Sequence, residues 1–249
     1  TFRDGLDTLV CALSERIGRH CIHQHCPVRR IDPPRANGSR RWRVHFKDGR
    51  TPQWFDGIVL AVPANVAAGL LSVADAALAT DLKTIPYASA AVVHLGYRRG
   101  QIDHPLDAFG LVVPATERRP LTAVSFSSVK YAGRAPEGHV LLQAFLGQAL
   151  PFDWHGWSDG QIVNEVRRQL SELVGACGRP ALAMVHRHRR ILPRYTVGHT
   201  SRVQTILQRA ASLGGLALAG NGYEGAGLPD CVASGQRAAD ALVADLVAR

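Results

Sequence analysis

The spacing of apolar positions changes period along the chain, and each change marks an element. Leu6, Leu9, Val10, Leu13 and Ile17 recur at helical spacing and predict a helix over residues 4–17, ended by Gly18. Cys21 to Ile31 reads as a strand. Residues 32–39, from Asp32-Pro33-Pro34 to Gly38-Ser39, form a loop by composition. Trp42, Val44 and Phe46 then alternate with Arg43, His45 and Lys47, and Asp48-Gly49 supplies a hairpin turn. The returning arm leads into Ile58-Val59-Leu60-Ala61-Val62-Pro63, a run apolar enough to be buried on both faces. Residues 64–83 follow a helical pattern.

Near Pro86 the pattern shifts. Strand-like segments at 89–98, 109–113, 121–127 and 139–147 are separated by turn residues and predict an antiparallel or mixed sheet. Ser158-x-x-Gln161 is a capping box that opens a helix with Ile162, Val166, Leu170, Leu173 and Val174 inward, and Gly175 closes it. A strand is expected at 181–191, a helix at about 200–212, and a final strand, loop and helix from Gly215 onward. The fold class is therefore α/β, mixed with α+β character.

Composition narrows the picture modestly. Hydrophobic content of 46% and charged content of 20% are those of a globular chain with a real core. No run approaches the ~18 apolar residues of a membrane span. Thr1-Phe2-Arg3-Asp4 lacks the apolar core of a signal peptide, and the absence of an initiator Met leads us to expect a truncated or excised chain. Five cysteines without CxxC spacing argue against a disulfide framework and for a reducing compartment. The net charge of +9 points to anionic partners.

The candidate chemistry sits near the C-terminus. Gly215-Leu216-Ala217-Leu218-Ala219 is a small-residue strand. It runs into Gly220-Asn221-Gly222-Tyr223-Glu224-Gly225-Ala226-Gly227-Leu228-Pro229-Asp230-Cys231, and the loop opens a helix. Glycines let backbone N–H groups approach a ligand. A helix N-terminus adds unpaired donors and partial positive charge, so the turn is a seat for an anionic cofactor atom. Gly220-x-Gly222-x-x-Gly225 is a GxGxxG by spacing only. One helix follows it, with no second strand and no acidic residue at a strand end, so it is not a first Rossmann turn. Two other clusters are weaker. Cys21, His23 and His25 alternate, which on a strand would gather them on one face, but no second ligand segment accompanies them and no metal is expected. His186-Arg187-His188-Arg189-Arg190 is basic yet lacks interleaved aromatic residues, so no nucleic acid partner is expected.

On these residues the chain resembles the oxygen-dependent protoporphyrinogen and coproporphyrinogen oxidases of the FAD-containing amine oxidase superfamily. Four segments besides the terminal loop share the likeness, in order: Phe2-Arg3-x-Gly5-Leu6-x-x-Leu9, Pro27-Val28, Arg134-Ala135-Pro136-x-Gly138 and Pro193-x-Tyr195-x-Val197-Gly198-His199. The family's opening strand and GxGxxG turn are absent, so the chain resembles its C-terminal portion.

The resemblance implies a partial FAD-binding domain at 1–85 and 193–249, split by an inserted mixed-sheet substrate domain at 86–192. It implies FAD as cofactor, with Gly220, Asn221, Ala226, Gly227 and Leu228 at the flavin ring and Val28 at the adenine. It also places Leu111 and Phe145 at the tetrapyrrole. Where the family usually has Trp this chain has His188, a departure beside the flavin. The implied reaction oxidises a porphyrinogen to a porphyrin with molecular oxygen as acceptor, in haem biosynthesis. An N-terminal FAD-binding half is an expected partner, and the chain alone is expected to be inactive. A cytoplasmic location, peripheral to an anionic membrane surface, is a further expectation. A non-catalytic tetrapyrrole-binding module and another oxidoreductase of the superfamily stay open as alternatives.

Overall fold

The computed structural model describes residues 2–34, 40–147 and 154–248; the end of the loop expected over 32–39 lies outside the described residues. In chain order the first elements are α1 (Asp7–Ile17), β1 (Val28–Asp32), β2 (Trp42–Phe46), β3 (Gln53–Phe55), β4 (Ile58–Leu60), α2 (Ala64–Leu70) and α3 (Ala76–Lys83). There follow β5 (Tyr87–Arg98), β6 (Gly110–Val112), β7 (Leu121–Phe126), α4 (Ser127–Lys130), β8 (His139–Leu146), α5 (Asp159–Val174), β9 (Leu182–Pro193), α6 (His199–Ser212), β10 (Leu216–Leu218) and α7 (Leu228–Val247). The chain divides into two compact units, Thr1–Leu13 with Ala88–Leu192, and Ser14–Tyr87 with Pro193–Arg249.

The first unit is built on a five-stranded sheet of order β6-β7-β8-β5-β9. Strict alternation along β5 and β8 turns Val93, Leu95, Tyr97, Leu142 and Ala144 to one face, where they are buried. Helix α5 supplies Ile162, Val166 and Leu170 to that core. Its start is the capping box read from the sequence: Ser158 Oγ accepts from the Gln161 N–H, and the Gln161 side chain accepts from the Ser158 N–H. Gly175 ends it in the left-handed region.

The second unit packs a three-stranded antiparallel sheet, β1-β2-β3, with the parallel pair β10-β4 and helices α2, α3 and α6. Trp42 is wholly buried and donates its indole N–H to the Gly214 carbonyl at 2.9 Å. Asp75 caps α3 through the Ala77 and Leu78 N–H groups and pairs with Arg209 of α6 at 2.9 Å, which ties two helices together.

Two expectations need correction, the strand from Cys21 and the buried run at 58–63. The helix expected over 4–17 forms as α1 and buries none of its residues; Leu6, Val10, Leu13 and Ile17 stay exposed. Helical spacing creates an apolar stripe, but only a neighbouring surface can bury it. The strand expected from Cys21 begins only at Val28; residues 19–21 form a 3₁₀ turn and His25 has φ 56°. Cys21, His23 and His25 therefore share no strand face. The run at 58–63 yields three strand residues; among the described residues β4 pairs with β10 alone, and Val59 is 37% exposed on a face that nothing fully covers.

Candidate functional site

The terminal loop is fixed at both ends by the chain's own side chains. Strand β10 lies parallel to β4, with Leu218 opposite Leu60, and delivers the chain to Gly220. There φ is 120°, a conformation that favours glycine, and no atom lies within 4 Å of where a Cβ would stand. The Gly220 N–H donates to Ser234 Oγ at 3.1 Å, which joins the strand end to α7.

The other glycines are small for packing. A methyl group on Gly222 would sit 2.4 Å from Tyr87 Oη, and that hydroxyl accepts the Ala64 N–H at the start of α2, 2.9 Å away. Cβ atoms on Gly225 and Gly227 would meet the Asp230 carboxylate at 2.4 and 2.9 Å. Asp230 folds back over the turn, and its Oδ2 accepts the Gly227 N–H at 3.1 Å. This is the reciprocal half of a capping box at the start of α7.

Two side chains hold the loop by its carbonyl groups. The Tyr195 hydroxyl donates to Asn221 O, and His199 Nε2 bonds Tyr223 O at 2.8 Å. A carbonyl only accepts, so Nε2 carries the proton. The two rings stack at 4.1 Å between centroids, with planes 17° apart. Tyr223 is buried with its hydroxyl unpartnered, and burial pushes its pKa far up. Burial also raises Tyr87. Both phenols stay neutral, so the loop rests on hydrogen bonds and packing.

Ala226, Gly227 and Leu228 remain exposed at the head of the 20-residue helix α7. The turn is thus open to a flat, electron-rich group, although the Gly227 N–H is already engaged by Asp230. The arrangement suits an anionic or polarisable ring edge against a helix start.

Val28 stands elsewhere in the same unit. It opens β1 opposite Phe46 and lines a cavity of about 350 Å³ with Val44, Phe46, Phe55 and Ile58. Cys26 and Arg50 stand at this cavity, 2.9 Å apart, and none of its lining residues belongs to the terminal loop.

In the first unit, strand register separates the two residues expected at the tetrapyrrole. Leu111 pairs with Val124 and shares the face packed on α5, whereas Phe145 pairs with Ala123 and Val92 on the opposite, more open face. Phe145 keeps company there with Gln143 and His94. His188 lies exposed on β9. Among the described residues no three His, Cys, Asp or Glu side chains gather as a metal site would require.

Sequence reasoning missed the supports. Tyr195 and His199 lay in a motif without a role, and Tyr87 carried no signal. Asp230, three residues past Gly227, had a visible capping signature.

The fold and this loop define a class. The sequence pattern of the family described as flavin containing amine oxidoreductase matches residues 1–243, and the chain belongs to that family. Among curated proteins it is 29% identical over 244 residues to coproporphyrinogen III oxidase of Bacillus subtilis (strain 168), covering 97% of this chain and 50% of the relative. It is 32% identical over 249 residues to protoporphyrinogen oxidase of Bos taurus, covering 96% of this chain and 50% of the relative. A solved structure from Exiguobacterium sp. 255-15 superposes with a TM-score of 0.84 at 27% identity, covering 100% of this chain and 52% of that one. Cyclohexylamine oxidase from Brevibacterium oxydans IH-35A shares the fold, with a TM-score of 0.69 at 15% identity over 97% of this chain and 53% of that one. The chain spans about half the length of the curated relatives named here.

Proposed function

We propose that this chain is the C-terminal part of an FAD-dependent oxidase that converts a porphyrinogen to a porphyrin in haem synthesis, with oxygen as acceptor. The observation that carries the reading is the exposed turn at Ala226–Leu228, set at a helix start beside the empty flank of Gly220. The names of the relatives supply the substrate class. FAD, when bound, supplies the two-electron chemistry. Gly220, Asn221, Ala226, Gly227 and Leu228 would border its ring, and Val28 would reach its adenine end through the cavity it lines. Tyr195 and His199 hold the loop's carbonyls, so that the backbone dipoles are set before the ring arrives. Phe145 supplies an aromatic face for a pyrrole ring.

A pyrophosphate-binding segment is expected from the part of the relatives that this chain does not span. Strand β4 supports this. A parallel sheet is normally covered and extended, yet among the described residues β4 pairs with β10 alone, and Val59 is exposed. Co-expression with a strand–GxGxxG–helix segment of a relative tests the reading. We expect flavin absorbance to co-purify with the pair and to bleach anaerobically on adding coproporphyrinogen III. A tight, stoichiometric FAD on this chain alone would overturn the two-part site.

No helix among the described residues is long and apolar enough to cross a membrane. We propose, on the net charge of +9, that the protein touches an anionic membrane surface peripherally from the cytoplasmic side. Sedimentation with phosphatidylglycerol vesicles, lost at high salt, checks it.

A further inference from the structure

One pair on the more open face of the five-stranded sheet has no role in what precedes. His94, in the middle of β5, is half-buried, and its Nδ1 is out of reach of solvent without a hydrogen-bond partner. His186 of β9 meets it edge-on, with ring centroids 5.4 Å apart and planes at 84°. Gln143 stands directly opposite on β8, and Phe145 lies diagonally beyond it on the same face. A buried ring nitrogen without a partner is a standing cost that an apolar residue would avoid.

We propose that His94 is a specificity-determining residue whose imidazole accepts pyrrole N–H groups and so distinguishes a porphyrinogen from its porphyrin. The proposal rests on the porphyrinogen reading above. In a porphyrinogen the bridging carbons are saturated, and the pyrrole rings rotate independently. Their N–H groups turn to one side of the macrocycle and converge on a single acceptor. In the porphyrin the rings are conjugated and coplanar, and the inner N–H groups lie in the plane. A lone pair above the macrocycle is therefore a partner for the reduced ligand only. Phe145, a diagonal neighbour, offers an apolar platform to either ligand.

The surroundings keep the lone pair available. Burial, and then the adjacent His186, hold the His94 pKa below the usual histidine value, so the ring is neutral at neutral pH. On this face β9 brings His186 and His188, and β8 brings no ionisable group beside His94; Arg98 and His139 pair at the far end of the strands. His186 lies on an exposed edge strand, and ligand access to the His94 nitrogen requires the His186 ring to turn aside.

Anaerobic equilibrium dialysis of the full chain against coproporphyrinogen III, and separately against coproporphyrin III, tests the assignment. Bound ligand is oxidised afterwards and read by its Soret absorbance. The wild type is expected to prefer the porphyrinogen. His94→Leu should weaken porphyrinogen binding about tenfold and porphyrin binding by less than about twofold. His94→Gln retains an acceptor oxygen and should keep most of the preference. His186→Ala should leave the preference intact, and Phe145→Ala should weaken both ligands. Equal losses for both ligands in His94→Leu would reduce His94 to a packing role, and no loss would remove it from recognition. Failure of the wild type to bind either ligand would sink the tetrapyrrole site itself, a result distinct from an intact site that ignores His94.

Discussion

Gly222 is the glycine most easily mistaken for a cofactor contact, and a double-mutant cycle isolates its role. Its φ is outside the left-handed region, so alanine can adopt the backbone. The obstacle is Tyr87 Oη, 2.4 Å from the new methyl group; the next neighbours, Tyr87 Cζ and Ala64 Cβ, lie at 3.6 and 3.8 Å and are ordinary contacts. Overpacking of this kind costs about 1–3 kcal/mol, less about 0.4–1 kcal/mol for the stiffer unfolded chain. Tyr87→Phe removes the oxygen and leaves the N–H of the buried Ala64 without its acceptor, a loss of about 1–3 kcal/mol.

In the double variant the clash is gone, and the alanine should add nothing or a slight gain. The unfolded-chain contribution cancels in the cycle, so the coupling energy equals the clash, about 1–3 kcal/mol in favour of the pair. The assay is urea unfolding detected by amide exchange on peptides of α2 and α6, so that the second unit reports by itself. Strict additivity of the two substitutions would refute the reasoning, because the penalty would then lie in something other than the hydroxyl.

Four further outcomes follow from the same contacts. His199→Leu removes the donor to Tyr223 O and should speed amide exchange across residues 220–227, whereas His199→Gln, which can donate, should restore much of the protection. Asp230→Ala frees the Gly227 N–H and should cost about 1 kcal/mol, with faster exchange at the start of α7. Arg209, and then the Leu78 and Ala77 N–H groups, hold the Asp75 carboxyl below its ordinary value of 3.8 despite some burial, so its contribution is full above that value and is lost as pH falls through it toward the lower folded value. Asp75→Asn should therefore flatten the acid limb of a stability–pH curve. Preference for coproporphyrinogen should fade as pH drops through the depressed His94 pKa, because a protonated imidazole has no lone pair to offer, and His94→Gln should show no such fade.

Local order was readable residue by residue. The alternation of β2, the capping box at Ser158, the stop at Gly175 and the helices α5 and α6 follow from period and cap chemistry, which act over a few residues. The terminal loop was also legible as a strand, a glycine turn and a helix start. The sequence did not reveal why its glycines are there. Gly222 answers to Tyr87, and Gly225 and Gly227 answer to Asp230.

What the sequence determines by itself is a repertoire of elements and one turn with the dipole geometry for an anionic ring edge, because hydrophobic period, caps and glycine freedom are short-range properties. Tertiary structure decides which apolar stripes find cover, as α1 and Val59 do not, and which side of a sheet a side chain joins, as with Leu111 and Phe145. It also decides which distant groups meet, as Tyr195 and His199 do with the carbonyls of Asn221 and Tyr223, and as His94 and His186 do on the sheet. Those outcomes depend on contacts between segments far apart in the chain, and no local pattern encodes them.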